Sequence, residues 1–316
     1  MKTDCIFKHK NLALLLISIL LLPAKSLLAS EVIEYQAIYK GVFSMYNEWT
    51  IADVNLSVSP IAETQQDWQK ITLTVSSENH ATVERLYPFR YAFDSYLASD
   101  PLHTSAFEHL KSSGKKSPKH YIGLIDAKRG DVQLFQADQH RTILSSSVLN
   151  ALKTQGIKAD EIVSLGLQAK GQRLEQINEA PLDRLSMLTL IQQQVKQGRK
   201  QSQDYLVTNG SKLMLYRVSP LKREKISISA TSLLADKVKI EAFVYGEPQL
   251  VTDDSASEYL LHSPQQKPNY VHAPVYAWFA TDGSATPLKF VSKHAVGEFQ
   301  VVITDYKQLE NIATNY

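Results

Sequence analysis

Apolar residues recur at helical spacing in one stretch of the chain, residues 182–197, and at alternate positions in most of the rest. In that stretch the large apolar side chains return every three or four residues, at Leu185, Leu188, Ile191 and Val195. This spacing forms a stripe along one face of an α-helix. Because further apolar residues lie on the other side of the same turns, the pattern predicts that Leu185, Leu188 and Ile191 are buried.

Both ends of this predicted helix carry residues that suit helix termini. Pro181 fits a first turn, and the side chain of Asp183 can accept hydrogen bonds from the free amides there. Gly198 follows the last apolar position and can adopt the left-handed conformation that commonly ends a helix. The sequence therefore predicts one buried helix with clear start and stop signals.

Elsewhere the apolar positions mostly alternate with polar ones, which is the pattern of half-buried β-strands. Residues 35–40 and 71–76 alternate most cleanly, and residues 48–58 alternate with a change of phase that indicates a β-bulge. A short helix is predicted at residues 147–155. Further strands are predicted at residues 89–96, 121–126, 132–136, 205–208, 212–218, 225–230, 237–245, 258–262, 275–280, 287–292 and 297–306.

Two dipeptides that favour tight turns join pairs of these strands. Asn209-Gly210 and Asp282-Gly283 each separate two apolar runs, which is a strong hairpin signal. Short strands joined by hairpins are typical of barrels and sandwiches. With one helix among them, the sequence predicts a mostly β fold: an antiparallel barrel-like or strongly curved sheet with one central buried helix, formed by residues 31–316 as a single domain.

Residues 1–30 have the pattern of a secretory signal peptide. Three lysines precede an apolar run at residues 12–22, Pro23 ends the run, and small residues at Ala29 and Ser30 offer cleavage sites. The alternative is an uncleaved membrane anchor, but a bilayer takes about 20 apolar residues to span. We therefore expect cleavage near Ala29 or Ser30 and a periplasmic mature protein.

Charge and cysteine content change this interpretation little. Four lysines and one aspartate give the leader a net charge of +3, whereas the whole chain has +2, so the mature chain is near −1 and nothing indicates binding to nucleic acid. Cys5 is the only cysteine and lies in the leader, so the mature chain has no disulfide. Its stability must come from a packed core.

The sequence contains no motif for catalysis or metal binding. It has no Gly-x-Ser-x-Gly elbow, no phosphate loop and no dinucleotide glycine pattern. Four of the nine histidines fall in one third of the chain, but none has the spacing of a zinc site. We therefore expect no catalytic residue, no metal and no cofactor, and interpret the chain as a protein that is not an enzyme.

Four stretches resemble, in their order and spacing, one family of exported bacterial proteins. They are residues 35–41 with the strand after them; Leu86-Tyr87-Pro88-Phe89-Arg90 with Asp94 and Ser95; Pro181-Leu182-Asp183-Arg184-Leu185-Ser186; and Trp278-Phe279-Ala280-Thr281-Asp282 followed by Pro287-Leu288. Together they are similar to the domain-of-unknown-function 3108 family over residues 33–306. The polar stretch from Gln139 to Glu179 is extra length beside that pattern. The resemblance implies an exported β-rich domain and no particular activity.

Aromatic residues on two predicted strands are candidates for lining a ligand cavity. Tyr91 and Phe93 share one face of a strand that follows Pro88, and Trp278 points to the face opposite Phe279 because strand residues alternate. The alternative for each is an ordinary place in the core, where aromatic side chains contribute much of the buried area.

Two basic segments, residues 111–120 and 217–225, are either solvated loops or surfaces that contact anionic lipid head groups. The resulting hypothesis is a periplasmic barrel-like protein that binds an apolar or lipid-like ligand in envelope maintenance. The alternative is a structural or protein-interaction component of the cell envelope, with a solid core and an envelope protein as its partner. An open apolar cavity favours the first, and a filled interior favours the second.

Overall fold

A computed structural model of the chain describes residues 31–61, 68–99, 102–114, 117–126, 130–137, 168–170, 174, 177, 180–210, 212–244 and 273–304. The leader predicted at 1–30, the helix predicted at 147–155 and the strand predicted at 258–262 lie outside these residues. Helix α1 spans Ala81–Leu86, helix α2 spans Arg184–Lys196, and a 3-10 turn occupies Val42–Ser44. The strands are β1 (Glu31–Gly41), β2 (Glu48–Pro60), β3 (Trp68–Ser76), β4 (Phe89–Ser99), β5 (Leu102–Ser113), β6 (Lys119–Asp126), β7 (Asp131–Ala137), β8 (Gln168–Ala169), β9 (Gln203–Thr208), β10 (Leu213–Pro220), β11 (Glu224–Ile228), β12 (Thr231–Val244), β13 (Val275–Ala280), β14 (Pro287–His294) and β15 (Gly297–Ile303).

All of these strands belong to one antiparallel sheet, so the predicted fold class is confirmed. Their order is β8-β7-β6-β5-β4-β3-β2-β1-β15-β14-β13-β12-β10-β9, with β11 paired to the first part of β12. Strand β1 pairs with β2 on one side and with β15 on the other. The first and last described strands are therefore neighbours, and the two halves of the domain form one continuous surface.

The two edges of this sheet are joined by the chain that leads into α2. Leu174 forms an antiparallel bridge to Val132 of β7, and Leu182 forms a parallel bridge to Val207 of β9. Gly210, in the turn after β9, lies so close to Leu134 of β7 that a Cβ there would be 2.6 Å from the leucine side chain. Because one segment pairs with both edges, the sheet curls into a barrel-like shape.

Helix α2 is the predicted central helix, but it begins two residues later than the apolar pattern indicated. The backbone N–H of Leu182 donates to Leu206, and its carbonyl accepts from Thr208, so Leu182 is an extended residue paired with β9. Asp183 is the N-cap, and its side chain accepts from the amides of the first turn. Gly198 follows the helix with a φ of 62°, which is the left-handed conformation expected of it.

The predicted face of α2 points into the core. Ile191 is fully buried and Leu185 is 8% exposed, whereas Leu188 is half-buried and packs on the edge of two clusters. Leu185 joins a cluster to which β1 to β4 and β11 to β15 both contribute, and Ile191 joins one built on β9, β10, β12 and β13. The helix therefore lies inside the curve of the sheet and ties its two halves together.

Several local predictions agree with the structure. Ile51 is an extra residue in β2, because Ala52 pairs with Ala37 while Thr50 pairs with Ile38, and this is the bulge that the change of apolar phase indicated. The turns at residues 209–212 and 281–286 each connect paired antiparallel strands, as their dipeptides predicted. A bulge of this kind bends a strand and helps a sheet curl.

One local prediction was wrong, and one helix was not predicted. Residues 111–120 were expected to be a loop, but β5 continues to Ser113 and β6 starts at Lys119, because pairing between the two strands extends to Lys111 and Lys119. Helix α1 was not expected at all. It is short and entirely without buried residues, so it has no apolar stripe for a pattern search to find.

Candidate functional site

The antiparallel order of the strands places alternate connections at the same end of the barrel. The connections after β1, β3, β5, β9 and β14 share one end, which we call the upper end. Helix α2 starts well below it, since its cap Asp183 touches Ser95, the seventh residue of β4. The part of β4 above Ser95 carries Phe89, Tyr91 and Phe93 on the same face, and all three are half-buried.

These residues form a continuous aromatic surface, the aromatic mouth, with side chains of β5 and β6. Ring centroids are 5.4 Å apart for Phe89 and Tyr91 and 6.2 Å apart for Tyr91 and Phe93. The imidazole of His109 lies 5.0 Å from Phe93 and 4.9 Å from Phe107. The members of the aromatic mouth are Phe89, Tyr91, Phe93, Phe107, His109 and Tyr121.

A glycine in β6 makes room for one of these rings. Gly123 pairs with Phe107 across β5 and β6, and a Cβ on Gly123 would be 2.0 Å from the phenyl ring. The ring therefore lies flat over the glycine backbone. This placement brings Phe107 beside His109 and keeps the aromatic surface smooth at the level where α2 begins.

Two cationic side chains lie at the edge of the aromatic mouth. The ammonium of Lys111 lies 5.4 Å from the centre of the Phe93 ring, and Arg184 is exposed at the first position of α2. Within the described part of the chain, neither forms an ion pair with a carboxylate. The positive charge at this edge is therefore not neutralised by those residues.

Burial, and to a lesser extent the local positive charge, changes the ionisation of two groups at this site. Burial, assisted by the charges of Lys111 and Arg184, lowers the pKa of His109 to about 3. Partial burial and the charge of Arg184 also lower the pKa of Lys111. His109 is consequently a neutral aromatic residue at physiological pH, and the two cations repel each other when nothing anionic lies between them.

A buried polar cluster forms below the aromatic mouth. The carboxylate of Asp183 accepts hydrogen bonds from the hydroxyls of Ser95 and Ser186, the latter at 3.0 Å, and from the backbone N–H of Leu185 at 2.6 Å. Burial raises the pKa of Asp183, although these hydrogen bonds oppose the shift. These hydrogen bonds give the carboxylate a structural role, because they cap α2 and fix the residue at which it starts.

The three predicted cavity residues do not lie together. Tyr91 and Phe93 are on the helix-facing side of β4, in the aromatic mouth. Trp278 lies on the opposite face of β13 from Phe279. Trp278 is buried in the cluster that includes Leu185, and Phe279 is buried in the cluster that includes Ile191. The indole N–H of Trp278 donates to Glu224 at 2.8 Å, and the ammonium of Lys237 lies 4.8 Å from its ring.

The sequence did not predict the buried polar group around Glu108. Glu108 accepts from the hydroxyl of Tyr96 at 2.7 Å and lies 3.1 Å from a ring nitrogen of His120. Burial acts to raise the pKa of Glu108, but the hydrogen bonds from His120 and Tyr96 outweigh it and lower that pKa. The three residues lie on three strands with no local motif, so only the register of β4, β5 and β6 brings them together.

Other concave or polar features of the described residues give no competing site. A pocket of about 310 Å³ lies between the start of β2 and α1, and its one histidine, His80, is already 3.1 Å from the carboxylate of Asp53. The described residues contain no group of three or more histidine, cysteine or acidic side chains placed to hold a metal. Nor does that part of the chain include a helix long and apolar enough to cross a bilayer.

Comparison with known proteins yields no family assignment. No protein-family model matches the chain, and no curated protein matches it. Among solved structures, the chain is similar to a β-barrel-like protein of the domain of unknown function DUF1849 from Brucella abortus, with 7% identity and a TM-score of 0.49 over 88% of this chain and 96% of that one. The resemblance to the 3108 family stays a prediction. What the structure establishes is a curled antiparallel sheet around a buried helix.

Proposed function

We propose that this chain is an exported binding protein that holds an amphipathic, anionic, lipid-like molecule in the aromatic mouth. The observation that carries the proposal is the combination of half-buried aromatic rings with two cations that have no carboxylate partner among the described residues. The leader pattern at residues 1–30 supports a periplasmic location.

The two parts of the site suit the two parts of such a ligand. An apolar chain lying along Tyr91 and Phe93 removes the remaining exposed aromatic surface from water, which is the main favourable contribution in apolar pockets. A carboxylate or phosphate at the edge would pair with Lys111 and Arg184 in charge-assisted hydrogen bonds. It would also relieve the repulsion by Arg184 that adds to the effect of burial in lowering the pKa of Lys111.

A binding role accounts for the polar groups better than catalysis does. The carboxylate of Asp183 is occupied by Ser95, Ser186 and the first amides of α2. A second acid near the aromatic mouth, the buried Glu108, pairs with residues on the reverse face of the sheet from Phe93 and His109. Neither acid is directed at the aromatic mouth, so the proposal includes no catalytic residue, metal or cofactor.

The second candidate function is a structural or interaction protein of the envelope. It is favoured by the filling of the barrel around α2, where Ile191 and Leu185 are buried and the interior is packed from both halves of the sheet. In that case the aromatic mouth is only the partly exposed upper edge of a solid core, and it binds no small ligand.

Titration with an acyl ligand separates the two. We expect oleate to raise the melting temperature of the mature protein, with a stabilisation of about 2.7 kcal/mol at a hundredfold excess over Kd. Lys111→Ala/Arg184→Ala should weaken oleate binding about tenfold or more and leave uncharged oleyl alcohol unaffected. Lys225→Ala, which removes another exposed lysine outside the mouth, is the matched control.

Native mass spectrometry of protein purified from its own periplasm tests whether such a ligand is present in the cell. A retained lipid would appear as added mass that delipidation removes. If oleate causes no thermal shift and native and delipidated proteins have the same mass, the binding role is wrong and the envelope-scaffold role takes its place.

A further inference from the structure

The upper end of the barrel carries most of the exposed large apolar side chains. Only Leu221 is exposed in this way in a connection at the opposite end, within the described residues. A contiguous exposed apolar surface on a folded domain usually marks a contact site. Seven of the twelve such residues lie in three upper-end connections and form what we call the upper rim: Val42, Phe43, Met45, Tyr46, Leu86, Tyr87 and Val296.

The most exposed part of the upper rim is a well-ordered turn. The buried hydroxyl of Ser44 accepts from the N–H of Gly41 at 3.1 Å and donates to the carbonyl of Asn47 at 2.6 Å. The N–H of Val42 donates to the carbonyl of Val296 at 3.1 Å, which joins this turn to the β14–β15 turn. Since its polar groups are bonded inward, the turn is fixed with its apolar side chains directed out.

The exposure of these side chains is large. Phe43 is 72% exposed, Met45 is 84% exposed and Tyr46 is 68% exposed. Met45 and Tyr46 also have φ values of 50° and 62°, a left-handed conformation that residues with side chains rarely adopt and that glycine would tolerate better. The turn thus presents bulky apolar residues at positions where folding alone favours glycine or a polar residue.

The same end also carries cations that have no carboxylate partner among the described residues. The upper-end carboxylates of Glu84 and Glu298 are paired with Arg90 at 2.9 Å and with Lys293 at 3.3 Å. Glu48 pairs with Lys40 at 3.6 Å, and Glu78 shares Arg90 at 3.5 Å. In contrast, Arg85, Lys111 and Lys119 form no ion pair with any described carboxylate. A partner that fits apolar side chains beside unpaired cations has anionic groups at its surface and apolar groups beneath them.

We propose that the upper rim docks on the surface of an anionic phospholipid bilayer. Phe43, Met45 and Tyr46 enter the head-group region, and Arg85 and Lys119 lie beside the phosphates. The aromatic mouth then opens directly onto the bilayer, because Phe89 and Lys111 lie at the same end as the rim. This inference rests on the proposed function and gives its ligand a path that avoids bulk water.

Vesicle flotation tests the docking with the mature protein. Wild type should float with vesicles of phosphatidylglycerol and phosphatidylethanolamine, more weakly at higher salt, and much less with neutral phosphatidylcholine vesicles. Phe43→Ser/Met45→Ser should lower the bound fraction about tenfold or more, because it removes the inserted side chains. Leu221→Ser, which removes an exposed leucine from the other end, should float like wild type. Circular dichroism confirms that each variant is folded.

The outcomes distinguish failure of docking from failure of ligand binding. The rim variant should still bind oleate in solution, whereas Tyr91→Ala/Phe93→Ala should lose oleate and still float. Docking is wrong if wild type does not float with anionic vesicles, or if the rim variant floats as well as wild type. Flotation that depends on Phe43 and Met45 supports docking even if oleate does not bind, in which case only the aromatic mouth loses its proposed role.

Discussion

The hydroxyl of Ser95, in the middle of β4, donates a hydrogen bond to the carboxylate of Asp183, the residue that caps α2. Both residues are buried, and Ser186 of the same helix donates to that carboxylate as well. The contact fixes the depth at which the helix starts inside the sheet. The part of β4 above Ser95 is therefore not covered by α2. The aromatic mouth depends on this position of the helix.

Replacing Asp183 with asparagine should change the pH dependence of stability. Burial raises the pKa of Asp183 in the folded protein, so the folded state holds this proton more tightly than the unfolded state does. Stability from this group is therefore present below the unfolded pKa of about 3.9 and is lost as pH rises through the folded pKa. Asp183→Asn should retain a cap and abolish that fall, which urea midpoints measured across acidic and neutral pH would show.

The control for this prediction is Asp204→Asn. Asp204 is an exposed acid paired with Arg217 at 2.8 Å, and removing its charge should leave the Asp183 contribution in place. An unchanged pH profile in Asp183→Asn would mean that the buried carboxylate does not bind its proton more tightly in the folded state.

Truncation of α2 should be most damaging at its most buried position. Ile191→Ala should lower the free energy of unfolding by about 2–5 kcal/mol, the usual range for a buried branched side chain. Leu188→Ala should cost less, because Leu188 is only half-buried. Urea denaturation measures both, and a larger loss for Leu188 than for Ile191 would show that the helix is rotated from the described orientation.

Adding one methyl group to β6 should disturb the aromatic mouth. In Gly123→Ala the new Cβ would be 2.0 Å from the Phe107 ring, so the ring must move away from His109. We expect a loss of about 1–3 kcal/mol, as for other overpacked interiors. The double variant Gly123→Ala/Phe107→Leu should recover part of this lost stability, as measured by thermal unfolding. If the stability losses of the two single variants simply add in the double variant, the contact between Gly123 and Phe107 is not the cause.

Breaking the buried pair on the reverse face should be strongly destabilising. His120→Ala leaves Glu108 buried without that partner, and such losses amount to about 3–5 kcal/mol. Tyr96→Phe removes one hydrogen bond from the same carboxylate and should cost about 1 kcal/mol. Chemical denaturation of the two variants gives the comparison, and equal effects would mean that the histidine contributes no more than a neutral hydrogen bond.

Export can be tested at the amino terminus. If residues 1–30 are a signal peptide, protein from the periplasm should begin near Ser30 or Glu31, because the apolar run at 12–22 is too short for a stable anchor. N-terminal sequencing provides the measurement. Recovery of an intact Met1 in the membrane fraction would support the anchor instead.

The sequence alone determined the features that depend on neighbouring residues. The alternation in residues 71–76, the phase change at Ile51 and the turn dipeptides each reflect backbone geometry over a few positions, and each agrees with the structure. The apolar stripe of α2, its Asp183 cap and its Gly198 end were likewise local. Periodicity reports which face of an element is buried, so the mostly β fold around one helix could be predicted.

Only the tertiary structure decided what those faces meet. Tyr91 and Trp278 look equivalent as strand aromatics, yet the register of the sheet places the first in the aromatic mouth and the second against Lys237 and Glu224. The hydrogen bond between Ser95 and Asp183 joins residues far apart in the chain, and no local sequence pattern predicts it. Such contacts are set by strand order and by the closure of the sheet through Leu174 and Leu182, which depend on the packing of the whole domain.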